Sequence, residues 1–183
     1  MNELLDALSE IEIKQILKAL SDEDSKIAKK IETLANKNIC NINIADLASE
    51  VFWVLDSLDV EELWKNSGTS RYGYEDPGEV AHEMVRVALE SFNDKILNYR
   101  KLGLYHEEKL YCMGILKGID MYTNSSQSEF KDWATDSPGI FFDDILDDWK
   151  KSCKTPRYIN EMDEFLSSQK QLEKLKFKFH KDF

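Results

Sequence analysis

Apolar residues recur along this chain at helical spacing. Ile13, Ile16, Leu17 and Leu20 fall on one helix face, Ile27, Ile31 and Leu34 on a second, and Leu47, Val51, Leu55 and Leu58 on a third. Val80, Met84, Val87 and Ala88 continue the pattern into a helix that runs to about Arg100. Phe142, Ile145, Leu146 and Trp149 mark a further helix, and Ile159, Met162, Phe165, Leu166, Leu172 and Leu175 the last long one. The segment Leu104 to Tyr122 is different, because its apolar residues cover most of the circumference. A helix of that kind belongs at the centre of a domain.

Start and stop signals agree with these stripes. Ser9 with Glu12 reads as a capping box, as does Asp59 with Glu62. Ser21-Asp22-Glu23-Asp24 places acids where the dipole of a new helix favours them. Asp76-Pro77, Ser137-Pro138 and Thr155-Pro156 each set a proline behind a capping residue, which predicts three helix starts. Gly103 is expected as a left-handed C-cap. Gly114 and Gly118, four apart on the apolar helix, predict a flat strip where a neighbour approaches closely, with the helix after Pro77 as the expected neighbour.

Cys40, Ile42 and Ile44, and again Leu175, Phe177 and Phe179, alternate with period two, but two isolated strands barely sustain a sheet. The expected fold is therefore all-α, with seven to nine helices arranged as hairpins around a central buried helix. The stretches Pro77 to Arg100 and Leu104 to Tyr122 form its antiparallel centre. One domain over 1–183 is expected, with 1–38 as a candidate N-terminal helical subdomain and 39–183 as the main body. The link Asn36 to Asn43 is the expected hinge, and Asn124 to Ser128 a polar loop.

Composition narrows the function classes. The 183 residues carry 35 acids against 24 Lys or Arg, a formal charge of -11. Such a surface repels phosphate backbones and disfavours nucleic acid. The basic residues gather after Lys150, where they meet either the chain's own acidic body or an acidic partner. Cys40, Cys112 and Cys153 are odd in number and far apart, so free thiols in a reducing cytoplasm are expected rather than a disulfide framework. No secretory leader and no membrane span are expected.

Candidate chemistry is sparse. Glu79 and His82 have the Glu-x-x-His spacing of a di-iron ligand pair, but no second copy exists, and Arg86 stands where a zincin motif needs its second histidine. The plain reading is a histidine on a helix face, and no metal or cofactor is assigned. Asp143, Asp144, Asp147 and Asp148 read as a solvated face or as an acidic patch for a basic partner. No nucleophile elbow or phosphate loop is present. Trp53, Trp64, Trp133 and Trp149 read as core or groove-lining residues.

The least generic string is Gly68 to Glu79. It sets Arg71, Tyr72, Gly73 and Tyr74 in a loop ahead of the Asp76 cap. Arginine and tyrosine favour contact hot spots, so Arg71, Tyr72, Tyr74 and Asp76 are the candidate interaction residues. The alternative is structural, with Arg71 paired to an acid and the tyrosines plugging the loop onto the core.

Arg71-Tyr72-Gly73-Tyr74-Glu75-Asp76-Pro77-Gly78-Glu79 also resembles the helical region that follows the zinc finger in bacterial and archaeal SWIM zinc-finger proteins. Looser likenesses occur at Leu8-Ser9, Asp22-Glu23-Asp24, Leu63-Trp64, Leu102-Gly103-Leu104, Gly114 to Gly118 and Trp133-Ala134. The Cys-x-Cys and Cys-x-His pairs of that family are missing, so its zinc is not carried over. The resemblance implies an interaction platform. The expected function is a non-catalytic protein-binding or scaffolding module whose partner is another protein, with the Arg71 to Asp76 loop beside an apolar or acidic groove. An enzyme or metal-dependent protein, and a nucleic-acid-associated factor by analogy with SWIM proteins, are the alternatives.

Overall fold

The computed structural model describes residues 7–70 and 73–179, without the side chains of residues 70 and 170–179. It contains α1 (Glu10–Glu23), α2 (Ser25–Ile39), α3 (Ile44–Asp56), α4 (Val60–Asn66), β1 (Gly68–Ser70), β2 (Gly73–Glu75), α5 (Pro77–Lys101), α6 (Tyr105–Ser125), a 3-10 turn (Glu129–Asp132), α7 (Ser137–Ser152) and α8 (Pro156–Phe179). The fold is all-α. Among the described residues, none of these helices is long and apolar enough to cross a membrane. Two compact units are formed, Met1–Asn41 and Ile42–Phe183, and the division falls within the Asn36 to Asn43 link.

The N-terminal unit is a helical hairpin. Ser9 and Glu12 make a reciprocal capping box that starts α1. The next cap lies later than the sequence suggests. Ser21 turns its hydroxyl back onto the Leu17 carbonyl at 2.8 Å and stays inside α1, while the Asp24 carboxylate accepts from Lys26 N at 2.7 Å and starts α2. A mid-helix serine satisfies itself on the preceding turn, which leaves Asp24 as the first residue free to cap.

The larger unit is built around α6. Tyr111, Cys112, Met113, Ile115, Leu116, Ile119 and Tyr122 are all buried. Its closest neighbour is α3, which corrects the expectation of α5. A Cβ built on Gly114 would lie 2.5 Å from Leu47 Cδ2, and one on Gly118 would lie 2.6 Å from Val51 Cβ and 2.7 Å from the Ala48 carbonyl oxygen. These contacts ascend together along both helices, so α3 and α6 run parallel. At their far ends Ser126 Oγ donates to Asp56 Oδ1 at 2.6 Å. Ser126 is thereby buried, and the polar loop expected from Asn124 is shortened because α6 continues through Ser125.

α5 packs antiparallel to α6, and the turn between them is closed by Gly103 at φ +70°. Gly103 N donates to Arg100 O at 3.1 Å and Leu104 N to Tyr99 O at 3.0 Å, the two bonds of a Schellman cap. Charged pairs then join four helices. Arg100 reaches both the buried Glu108 and Asp148, each at 2.8 Å, linking α5, α6 and α7. The buried Lys109 pairs with Glu161 on α8, which also accepts from Arg157 at 2.7 Å. Asp148, one of the four clustered aspartates, thus pairs with an arginine of the body.

All three prolines open helices, but Pro138 is not preceded by a serine cap. The cap position is Asp136, and Ser137 is already helical. Only one tryptophan is core. Trp149 is buried, whereas Trp53, Trp64 and Trp133 are 66%, 49% and 40% exposed. Trp64 and Trp133 cover each other edge to face at 4.6 Å.

The close approach of α3 and α6 gives a direct test. Gly118→Ala should lower stability by about 1–3 kcal/mol, because its Cβ meets backbone. Gly114→Ala should cost less, since its neighbour is a movable leucine side chain, and Gly139→Ala, which faces open space, should gain up to about 1 kcal/mol of helix propensity. Urea titration separates the three. A second test concerns Tyr122, whose hydroxyl is buried without a hydrogen-bond partner among the described residues and whose pKa burial pushes up to about 12, helped by the nearby Asp56 charge. The unfolded tyrosine ionises near pH 10, so it sheds its proton first and stability falls as pH rises through that window towards the folded value. Tyr122→Phe should leave stability at pH 7 unchanged or raised, and should flatten this alkaline loss in denaturation curves taken from pH 9 to 12.

Candidate interaction groove

The string that reads as a loop in the sequence contains a two-stranded antiparallel hairpin. Gly68 pairs with Glu75, Thr69 with Tyr74, and Ser70 with Gly73. Gly68 and Gly73 have φ of 91° and 138°, which an L side chain rarely adopts, so glycine is needed at both positions. The expectation missed these strands because three residues are too few to show a period of two. Arg71 and Tyr72 lie outside the described residues. Tyr74 is on β2 and 66% exposed, so it does not plug the core.

Asp76 has a structural task. Its Oδ1 accepts from Gly78 N at 2.8 Å and Glu79 N at 3.3 Å, which caps α5, and Pro77 occupies the first turn. The cap fixes the direction in which α5 leaves the hairpin. It therefore sets the positions of Glu75 before it and Glu79 after it.

Beside the hairpin lies an open groove of about 500 Å³. Its floor is Leu58, Val80, Met84, Val87 and Ala88, and its rim carries Glu62, Glu75, Glu79 and Glu83 with Asn66. Here the sequence reading of α5 is corrected. The residues of α5 that enter the core are Ala81, Val85, Leu89, Phe92, Ile96 and Tyr99. The stripe Val80, Met84, Val87 and Ala88 is displaced from them by about 100° around the helix and lines the groove instead. An apolar arc this wide has two faces, and the helix-helix packing covers only one.

The rim is acidic but not uniformly free. Arg86 makes a bidentate pair with Glu83, at 2.6 and 2.7 Å, and lies 3.6 Å from Glu90. Hydrogen bonding from Arg86 holds the Glu83 carboxyl below its ordinary pKa. Glu62, Glu75 and Glu79 enter no ion pair among the described residues.

Glu79 and His82 diverge. Glu79 is on the groove rim, while His82 Nδ1 is 3.1 Å from Ser137 Oγ and its ring stacks on Phe141 at 4.8 Å. The histidine fastens α5 to α7. Among the described residues no three His, Cys, Asp or Glu side chains are grouped as a metal site would require. Among the described residues Cys40, Cys112 and Cys153 form no disulfide, and of the three Cys112 is buried. Comparison with known proteins returned no matching family, no matching curated protein and no matching solved structure.

The two described candidates of the hairpin should separate on mutation. Asp76→Ala should lower stability by about 1 kcal/mol through loss of the cap. Tyr74→Ala should change it by less than about 0.5 kcal/mol, as for an exposed surface residue. Thermal unfolding of both variants measures the difference.

Proposed function

We propose that this chain is a non-catalytic interaction module that holds an amphipathic, basic segment of another protein in the groove beside the hairpin. The observation that carries the reading is the apolar face of α5 that the described residues leave open, rimmed by four glutamates. A helix laid in such a groove would bury its apolar face on Val80, Met84 and Val87 and bring lysines or arginines to the rim, which is a recurring mode of peptide capture. Charge complementarity of this kind speeds encounter and selects the partner. Tyr74, exposed on β2, offers a further large contact with few rotatable bonds.

Other features support the same reading. The acidic balance of the chain opposes a nucleic-acid ligand and favours a basic protein segment. The likeness of Arg71 to Glu79 to the helical part of SWIM zinc-finger proteins, without the zinc ligands, fits a platform. Cysteines that form no disulfide fit a cytoplasmic setting.

The test is selection from a displayed library of random 16-residue peptides on the full chain, followed by titration of the synthetic winners. Enriched peptides should place apolar residues at i, i+3 or i+4 and i+7 among Lys and Arg. Their affinity should fall at least tenfold with Met84→Asp and with Val87→Asp, and should fall as salt rises from 50 to 500 mM. Peptides without basic residues, or affinities that ignore both substitutions, would sink the proposal.

A further inference from the structure

Among the described residues, the N-terminal hairpin carries two apolar stripes that stay part-exposed although its two helices pack together. No residue of α1 or α2 is buried. Ile13, Ile16, Leu17 and Leu20 are between 37% and 43% exposed, and Ile27 and Leu34 are 37% and 53% exposed. Helices of 14 and 15 residues are at the length where an isolated helix is marginal in water. A unit of about 40 residues cannot build a sufficient core alone. The stripes therefore need a partner surface, and the charges beside them say which.

α1 carries four acids against two lysines, and α2 four lysines against one acid. Glu12 and Glu23 fall on one flank of the α1 stripe, 11 positions apart; Lys26 and Lys37 fall on one flank of the α2 stripe, also 11 positions apart. Eleven residues make three helical turns, so each pair stays on its flank. Among the described residues no ion pair joins α1 to α2, although the two helices pack together; the one pair in this unit is Lys14 with Glu10, inside α1. Glu12 Oε2 also accepts from the Ser9 cap, but among the described residues neither edge is ion-paired across its own hairpin.

We propose that this hairpin is a dimerisation element whose partner is a second copy of the chain. A two-fold axis parallel to the helices sets α1 of one copy antiparallel to α2 of the other. That arrangement buries both stripes in a four-helix bundle. It also places Glu23 opposite Lys26 of the mate in the same register that places Glu12 opposite Lys37, because both pairs are separated by the same 11 residues. The interface is isologous, so every contact occurs twice.

Sedimentation equilibrium of the full chain from 1 to 100 μM tests this, with circular dichroism as the folding control. Wild type should be a dimer. Ile16→Glu with Leu20→Glu should be monomeric with most helicity kept, since the larger unit is untouched. Lys26→Glu with Lys37→Glu should weaken the dimer at least tenfold, as should Glu12→Lys with Glu23→Lys. An equimolar mixture of the two charge-reversed chains should dimerise again, because each then offers the edge that the other lacks. The last result also separates charge pairing from the loss of the Glu12 cap, which mixing cannot repair. A monomeric wild type at all concentrations, a dimer that survives the stripe substitutions, or a mixture that stays monomeric would each overturn the proposal.

Discussion

The larger unit depends on the contact between α3 and α6 at Gly114 and Gly118. With no side chain at either position, Leu47 and Val51 seat directly on the α6 backbone, and the Ala48 carbonyl approaches closer than any Cβ would allow. Two parallel helices this close cannot be joined by a tight turn. The chain has to travel back along the body before α6 begins, and α4, the β-hairpin and α5 occupy that return. The candidate groove is made entirely from the returning segment. Its existence follows from the need to bring the chain back to the start of α6.

α5 illustrates how an apolar arc wider than its packing partner creates a surface. Its core face meets α6 and α7, and the adjacent face lines a groove with Leu58, Glu62, Asn66 and Glu75. Had the hairpin been replaced by a longer covering segment, the same residues would have been core. The charged pairs act in the opposite sense, by making the packing specific. Arg100, Glu108 and Asp148 fix α7 against the α5–α6 turn, and removing the arginine would leave Glu108 buried without its main partner.

Element boundaries were legible wherever local chemistry decides them. Ser9 with Glu12, Asp59, Asp76 with Pro77, and Gly103 all act where the sequence reads them, because a cap is a matter of a few neighbouring residues. Partnerships were less legible. Nothing local tells Gly118 that it meets Ala48 rather than a residue of α5, and nothing in the spacing of Val80, Met84 and Val87 says that the next face of the helix will be the one covered. The exposed Trp64 and Trp133 show the same gap, since a pair of large rings that shield each other satisfies hydrophobicity without entering the core. Of the candidate site, Asp76 resolves into a cap and Tyr74 into an exposed strand residue. The groove itself, lined from α4 and α5 with Glu75, is a product of three-dimensional packing alone.

Cys112 lies on α6, on the helix that carries the glycine contact, and is fully buried; burial pushes its thiol pKa well up, so the reactive thiolate is scarce. Cys40 is exposed and Cys153 is half-buried. The chain therefore contains its own reporter of cooperative opening. An alkylating reagent meets Cys40 at once, but reaches Cys112 only in those molecules whose central helix has come away from its neighbours. The spread of labelling rates across three cysteines becomes a free-energy scale, with the surface of the small unit at one end and the heart of the large one at the other.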